Sequence, residues 1–191
     1  MPLSDDQIVE KIRDGARHYY RQLVARYKDR GMTLALRILR NREDAEEALQ
    51  DAFVRALRGL DAFKGQSKFG TWFYRILYNA CISNLEKRSR RTKEVELDED
   101  EGYELHEMGH SAPLSVQIEM RDLADIVKRT IESMPEKYAA VLTLFYLQEF
   151  SHEEICGITN LPLGTVKTHL FRARALLQRR LQREVPEGVS T

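Results

Sequence analysis

The chain has 191 residues, of which 42% are hydrophobic and 31% are charged, with 30 basic and 30 acidic side chains. This balance permits folded cores and argues against wholesale disorder, and the length suits one or two domains. The two cysteines lie outside any CxxC pair, no apolar run approaches the ~18 residues of a membrane span, and the N-terminus lacks a signal-peptide pattern. We therefore expect a cytoplasmic protein without disulfides, zinc knuckles or membrane segments.

The zero net charge conceals an uneven distribution. Residues 1–92 hold 19 Lys and Arg against 12 Asp and Glu, whereas residues 93–112 hold one against eight. A second basic stretch, 161–183, has six basic residues and no acid. Because nucleic-acid-binding proteins concentrate positive charge where they meet phosphates, both basic regions are candidate phosphate-contacting surfaces.

Helical patterns dominate the chain. Apolar residues recur at helical spacing and strand signals are scarce, which predicts an all-α protein. In the first ninety residues we expect helices over 4–15, 19–40 and 44–60. Asn41 is a suitable N-cap for the third of these helices, and acidic residues follow it in the first turn, where the helix dipole favours them.

The third predicted helix has a polar face opposite its apolar stripe. Four positions at i, i+3, i+4 and i+7 share this face: Glu47, Gln50, Asp51 and Val54. On helix physics alone, an ordinary solvated acidic face is the simpler interpretation.

Residues 63–91 combine aromatic, amide and basic side chains. Gly65, Ser67 and Gly70 predict a loop, and a helix follows from about residue 71. One face of this helix carries Trp72, Arg75, Asn79 and Ser83, and its end carries Lys87, Arg88, Arg90 and Arg91. Aromatic faces stack unpaired bases, amides read base edges and cations follow phosphates, so the set predicts capture of single-stranded DNA. For Trp72 alone, packing in a helical core is the simpler interpretation.

Residues 93–113 interrupt the helical periodicity. They contain an acidic run, two glycines and a terminal proline, the composition of a flexible, solvated linker. We therefore place one domain at 1–92 and a second at 114–191.

The linker also supports a competing hypothesis, that of a metalloenzyme. His106 and His110 are four residues apart with Glu104 and Glu107 beside them, so a helix there would bring metal ligands together. The composition of the linker disfavours the shaped cavity that an active site needs. The chain also has no P-loop, GxSxG or HExxH motif. We expect no enzymatic activity, no metal or other cofactor, and no small-molecule substrate.

The end of the chain, 150–181, predicts a helix-turn-helix. Ser151 and Glu154 are placed to form a capping box, and Asn160 and Pro162 suit the turn. The second helix directs Val166, Leu170, Ala173 and Leu177 inward and presents Lys167, Thr168, Phe171, Arg172 and the flanking Arg174. A major groove accepts such a helix. The alternative is a helical hairpin with a solvated basic face.

Three motifs give the chain a specific resemblance: NREDAEEALQDAFVRALRGLDAF, FKGQSKFGTWFYRILYNACISNL and LPLGTVKTHLFRARALL. Over nearly its whole length the chain resembles the extracytoplasmic-function sigma factors of the sigma-70 family, which consist of a sigma-2 domain, a linker and a sigma-4 domain. Two departures are Cys156, where the family has a small alanine, and Lys167, where many relatives have arginine. Thiol chemistry is one interpretation of Cys156, and a small buried residue is the simpler one.

The resemblance implies three sets of site residues. The core-polymerase set, which would dock on the beta-prime clamp helices, is Glu47, Gln50, Asp51 and Val54. The set that would receive the flipped base of the minus-10 element is Ser67, Lys68, Phe69, Trp72, Arg75, Asn79, Ser83, Lys87 and Arg88. The set that would dock on minus-35 DNA is Lys167, Thr168, Phe171, Arg172 and Arg174.

The resemblance also implies partners: core RNA polymerase, through its clamp helices and beta flap, promoter DNA, and an anti-sigma factor that is the cytoplasmic part of a membrane protein. The alternative is a conventional helix-turn-helix regulator with an N-terminal sensor or dimerisation domain. Such a regulator would not need the aromatic loop or the acidic helix face.

Overall fold

The computed structural model describes the backbone of residues 3–95 and 120–184 and the side chains of residues 3–90 and 125–183. Every regular element in these ranges is helical, which confirms the predicted all-α class. Short 3-10 turns occupy Arg17–Tyr19 and Leu60–Ala62. The α-helices are α1 (Asp5–Arg13), α2 (Tyr20–Leu39), α3 (Arg42–Gly59), α4 (Phe69–Val95), α5 (Met120–Ser133), α6 (Glu136–Tyr146), α7 (His152–Thr159) and α8 (Leu163–Glu184).

Helices α1 to α4 form an N-terminal bundle in which α3 packs closely against α2 and α4. The inner face of α3 consists of small buried side chains, Ala45, Ala48, Ala52 and Ala56. A Cβ added at Gly31 of α2 would lie only 2.8 Å from Leu49 Cδ1 of α3. Small residues on both helices therefore permit their close approach.

The helix starts follow local capping chemistry. The Asn41 side chain accepts a hydrogen bond from the Asp44 backbone N–H at 3.0 Å, which confirms the predicted cap of α3. Helix α4, in contrast, begins at Phe69, earlier than predicted, so that Gly70 lies inside it. A Cβ at Gly70 would be 3.0 Å from the Tyr27 hydroxyl, which explains the glycine by close packing instead of loop conformation.

The predicted linker at 93–113 falls mostly outside the described residues. Its first three residues belong to α4, which extends to Val95. The possible metal ligands His106 and His110 lie in the part of the chain that is not described.

Helices α5 to α8 form a C-terminal lobe that contains the predicted helix-turn-helix. The capping box between Ser151 and Glu154 is present, and Asn160 adopts the left-handed conformation with φ of 58°. Three of the inward positions predicted for α8 are buried: Val166, Leu170 and Ala173. Helix α8 also packs on α5 and α6. None of the described helices combines the length and apolarity needed to cross a membrane.

The two lobes pack directly on each other, with α6 against α2 and α7 against α4. Ala140, Val141 and Leu144 of α6 belong to the same buried cluster as the core of the N-terminal bundle. The sequence patterns did not predict this docking.

Candidate nucleic-acid interface

Helix α4 presents an exposed polar row beside its buried face. Arg75, Asn79 and Ser83 are exposed and occur every fourth residue, so they align along one side of the helix. Phe73 and Leu77 on the other side are fully buried and fix the helix in the bundle. The row therefore offers a cation, an amide and a hydroxyl in a line on a rigid support, as an interface for unpaired bases requires.

The two aromatic residues predicted to meet DNA at the start of α4 differ in exposure. Phe69 is only 1% exposed and packs at 5.4 Å from the Tyr27 ring, so this structure leaves it no free face for a base. We assign Phe69 to the core. Trp72 is half-buried, with its ring centroid 4.8 Å from that of Phe63, and Gly59 provides room for it. Trp72 thus retains some surface while contributing to packing.

Two cations of the predicted minus-10 set, Lys68 and Arg88, interact within the protein. Lys68 lies in the exposed loop beside Ser67, and its Nζ is 3.0 Å from Glu154 Oε1 of the C-terminal lobe. The Arg88 guanidinium is 4.0 Å from the Asp44 carboxylate. Lys87 is exposed.

Helix α8 displays the predicted groove-facing side chains on one surface. All five are exposed: Lys167, Thr168, Phe171, Arg172 and Arg174. Phe171 is 73% exposed, an unusual position for an aromatic ring on a helix with an otherwise complete core. Exposed apolar groups surrounded by cations mark a contact surface.

Aromatic residues of α6 hold two of these arginines in place. Arg172 Nη1 donates a hydrogen bond to the Tyr138 hydroxyl oxygen at 3.1 Å. The Arg174 guanidinium lies 5.6 Å from the centroid of Phe145 and 5.4 Å from that of Tyr146, distances typical of cation–π contact. Sequence reasoning missed these aromatics, although their concentration in one short helix, YAAVLTLFY, was a visible signal.

The outer face of α3 combines acidic and apolar groups. Glu47 and Gln50 are exposed, and Asp51 forms a 2.7 Å ion pair with Arg55 one turn along the helix. Val54 is 45% exposed, and Leu57, which the motif analysis did not single out for this face, is 36% exposed. An acidic helix face with an exposed apolar end is suited to a protein partner.

Comparison with known proteins decides the family. Residues 23–91 match the family model Sigma-70 region 2, and residues 124–177 match Sigma-70, region 4. The ECF RNA polymerase sigma-E factor of Escherichia coli (strain K12) is 36% identical over 186 residues, which cover 94% of this chain and 95% of that protein. The chain belongs to the ECF sigma factors. As a member of this family it is a non-enzymatic protein that directs RNA polymerase to promoters.

Further relatives agree with this assignment. The sigma-E factor of Haemophilus influenzae is 31% identical over 184 residues, which cover 94% of this sigma factor and 96% of the relative. Two solved structures, each 21% identical, share the fold. CnrH in complex with the cytosolic domain of CnrY has a TM-score of 0.61, covering 93% of this chain and 96% of that one. RpoE in complex with the anti-sigma factor NepR from Bartonella quintana has a TM-score of 0.63, covering 85% and 96%.

One titratable group of the sigma factor lies under the exposed face of α8. His169 packs edge-on against the Tyr138 ring, with its buried Nδ1 unpaired among the described residues. Burial, and then the nearby Lys137 and Arg172 charges, lower the pKa of His169 below its ordinary value of 6.5. The fold therefore favours the neutral imidazole.

This arrangement predicts a pH-dependent stability of the helix-turn-helix. Because the folded-state pKa is depressed, the contribution of His169 is complete above pH of about 6.5 and is lost as the pH falls below it. Thermal unfolding at pH 7.5 and 5.5 should show a larger loss of stability on acidification in the wild type than in His169→Gln. An equal loss in both proteins would contradict this expectation.

Proposed function

We propose that three exposed surfaces of this sigma factor each bind a different partner or DNA element. The domains extend over 1–92 and 114–191 and are joined by the linker at 93–113, into which α4 continues as far as Val95. In the first domain, the outer face of α3 binds the beta-prime clamp helices of core polymerase, and the row on α4 reads the minus-10 element. In the second domain, α8 reads the minus-35 element.

The observation that carries this proposal is the row of Arg75, Asn79 and Ser83 on the exposed side of α4. Its chemistry suits a flipped base, since the amide can pair with a base edge while the guanidinium meets the backbone. The half-buried Trp72 lies at the start of the same helix, where its ring supports an unstacked neighbour.

The surface of α8 suits a major groove for a different reason. Lys167 and Thr168 precede the exposed Phe171 by one turn, so a hydrogen-bonding cation and an apolar ring face the same direction. Lysine donates to guanine acceptors, and an aromatic ring contacts a thymine methyl group. Arg172 and Arg174, held by the α6 aromatics, are placed to grip the flanking phosphates.

We further propose that the beta flap of polymerase contacts the second domain and that a membrane-linked anti-sigma factor controls this protein in the cytoplasm. The support is that two structures of the same fold, CnrH and RpoE, were solved with CnrY and with the anti-sigma factor NepR. Exposed apolar side chains on both domains, Leu57 and Leu147 among them, provide contact points for such a partner.

Run-off transcription with core polymerase and a genomic promoter library tests the proposal as a whole. We expect a discrete set of promoters that share two sequence elements. Transcription without a shared upstream element would contradict the role of α8, and the absence of any factor-dependent transcript would contradict the proposal altogether.

Replacing Lys167 with alanine should weaken recognition of the duplex element alone. The lost contact is expected to lower holoenzyme affinity for the minus-35 element about tenfold, with binding to single-stranded minus-10 DNA unchanged. Fluorescence anisotropy with the two DNA probes measures both effects. Arg179→Ala, an equal loss of charge three turns further along α8, serves as the control. Equal weakening by both substitutions would show a general charge effect instead of a specific contact.

A further inference from the structure

Arg13, the last residue of α1, connects that helix to the turn that follows α3. Its Nε and Nη2 both donate hydrogen bonds to the Leu60 carbonyl oxygen, each at 3.3 Å. The same oxygen accepts from the Phe63 backbone N–H at 3.2 Å, which closes the 3-10 turn. The Leu60 carbonyl lies at the C-terminal end of α3, where carbonyl groups lack helical partners and a cation is favourable. Arg13 therefore holds the end of α3 and the turn after it.

The Arg13 guanidinium also covers the ring of Phe63. Its central carbon lies 6.0 Å from the Phe63 ring centroid, at the outer limit of a cation–π contact. Phe63 is buried, and its ring centroid lies 4.8 Å from that of Trp72 and 6.2 Å from that of Phe69. On another side of Trp72, a Cβ added at Gly59 would lie 3.3 Å from the indole ring. A continuous series of contacts therefore runs from Arg13 through Phe63 to Trp72.

These contacts fix both ends of an exposed loop, residues 64–68. Phe63 comes directly before the 64–68 loop and Phe69 directly after it, and both rings are buried in contact with each other. Ser67 and Lys68, two members of the predicted minus-10 set, lie within the loop and are exposed. The position of the loop thus depends on Phe63, whose own position depends in part on Arg13.

We propose that Arg13 is a positioning residue for recognition of the minus-10 element. By holding Phe63, it keeps the 64–68 loop and the Trp72 ring in the geometry that an unpaired base meets. A loop that is already in place loses less freedom on association, so it binds more tightly. This role rests on the function proposed above for α4 and the loop. It adds α1, which lies outside the residues 23–91 that match Sigma-70 region 2.

A different use of Arg13 is direct contact with a DNA phosphate, since its side chain is exposed. The two roles differ in their salt dependence. Loss of a phosphate contact lowers the salt slope of DNA binding by about one, whereas loss of positioning weakens binding by a similar factor at every salt concentration. The two hydrogen bonds to Leu60 favour positioning, because they already occupy Nε and Nη2 of the guanidinium.

Fluorescence of the free sigma factor tests the contact series without polymerase or DNA. Trp72 is the only tryptophan of the chain, so the emission reports its surroundings alone. Arg13→Met removes both hydrogen bonds but keeps a long, unbranched side chain over Phe63. We expect the emission maximum to move to longer wavelength and acrylamide quenching to increase, because the indole ring gains contact with water. Arg13→Lys retains the cation and should restore part of the wild-type spectrum.

Holoenzyme binding to single-stranded minus-10 DNA measures the consequence for recognition. We expect Arg13→Met to lower the affinity about tenfold and Arg13→Lys about threefold, with the salt slope unchanged in both. Affinity for duplex minus-35 DNA should stay as in the wild type, because α8 belongs to the other domain. Fluorescence anisotropy over a range of salt concentrations measures both affinities, and thermal unfolding measures any loss of stability.

Lys11→Met is the matched control. Lys11 lies in the same last turn of α1, and its Nζ is 5.3 Å from the ring centroid of Tyr19, which is not part of the loop. The substitution removes the same charge and the same kind of ring contact. It should leave Trp72 emission and minus-10 binding unchanged. Equal weakening by Lys11→Met and Arg13→Met would show a general charge effect and overturn the positioning role.

A shifted Trp72 spectrum together with weaker minus-10 binding at an unchanged salt slope supports positioning by Arg13. Weaker binding with an unaltered spectrum and a slope lowered by about one would show a phosphate contact instead. A lower melting temperature with unaltered minus-10 binding would show a purely structural role, provided that Asn79→Ala does lose minus-10 selectivity. Either result overturns the inference. If Asn79→Ala also kept wild-type selectivity, the function proposed for α4 would be wrong, and the positioning role would fall with it.

Discussion

Replacing Glu47 and Asp51 by lysine is expected to lower the affinity of the sigma factor for core RNA polymerase by at least about 100-fold. The two carboxylates lie one turn apart on the outer face of α3, where charge reversal converts attraction into repulsion toward a basic partner surface. The inner face of α3 is unaffected, so helical circular dichroism and the melting temperature should change little. Competition binding to core polymerase measures the effect.

A matched control is available on another helix. Asp6 and Glu10 of α1 are also exposed carboxylates four residues apart, and replacing both by lysine changes the net charge by the same amount. This variant should retain core binding, because α1 lies outside the proposed interface. If the Glu47 and Asp51 variant bound core polymerase as the wild type does, the assignment of the α3 face would be wrong.

Replacing Asn79 with alanine is expected to reduce open-complex formation about 10-fold to 100-fold, while binding of the closed duplex promoter persists. The amide is exposed on α4 and can contact a base edge only after the base has left the stack. Permanganate reactivity of unpaired thymines measures opening, and variation of the minus-10 sequence measures selectivity.

A promoter with a preformed bubble sharpens this test. Such a template removes the cost of melting, so holoenzyme with Asn79→Ala should start transcription from it normally but still fail to discriminate minus-10 sequences. Asn84→Ala, the same substitution on another side of α4, should retain both properties. Reduced duplex affinity with opening and selectivity intact would show that Asn79 does not read an unpaired base.

The elements predicted well from sequence were those fixed by local chemistry. The caps at Asn41 and Ser151, the left-handed Asn160 and the inward positions of α8 all depend on residues within a turn or two of one another. Such interactions depend on the spacing of side chains along the sequence, so they can be predicted from it. The exposed row on α4 and the basic face of α8 were predicted for the same reason.

Contacts between distant parts of the chain were not predictable in this way. The Tyr74 hydroxyl donates a hydrogen bond to Gln148, which is 74 residues away, and the Gln148 amide donates in turn to the Arg30 carbonyl, 118 residues away. No periodicity marks a buried tyrosine as the partner of a particular glutamine. Phe69 illustrates a related difficulty, since an aromatic residue near a loop can belong either to a binding surface or to the core, and only three-dimensional packing decides.

The row of buried alanines on α3 has a consequence for the thermodynamics of recognition. Alanine has no side-chain rotamers to restrict, so these four contacts of α3 form without loss of side-chain freedom. Together with Leu49 and Phe53, which pack against the same core, they hold the helix that carries Glu47 and Asp51 in place before any partner arrives. Association requires ordering only of the long surface side chains, each of which costs about 0.5–1.5 kcal/mol in lost freedom. A mobile helix would have to be ordered on binding, and the free energy of that ordering would weaken the affinity. Because α3 is already in place, this cost does not arise.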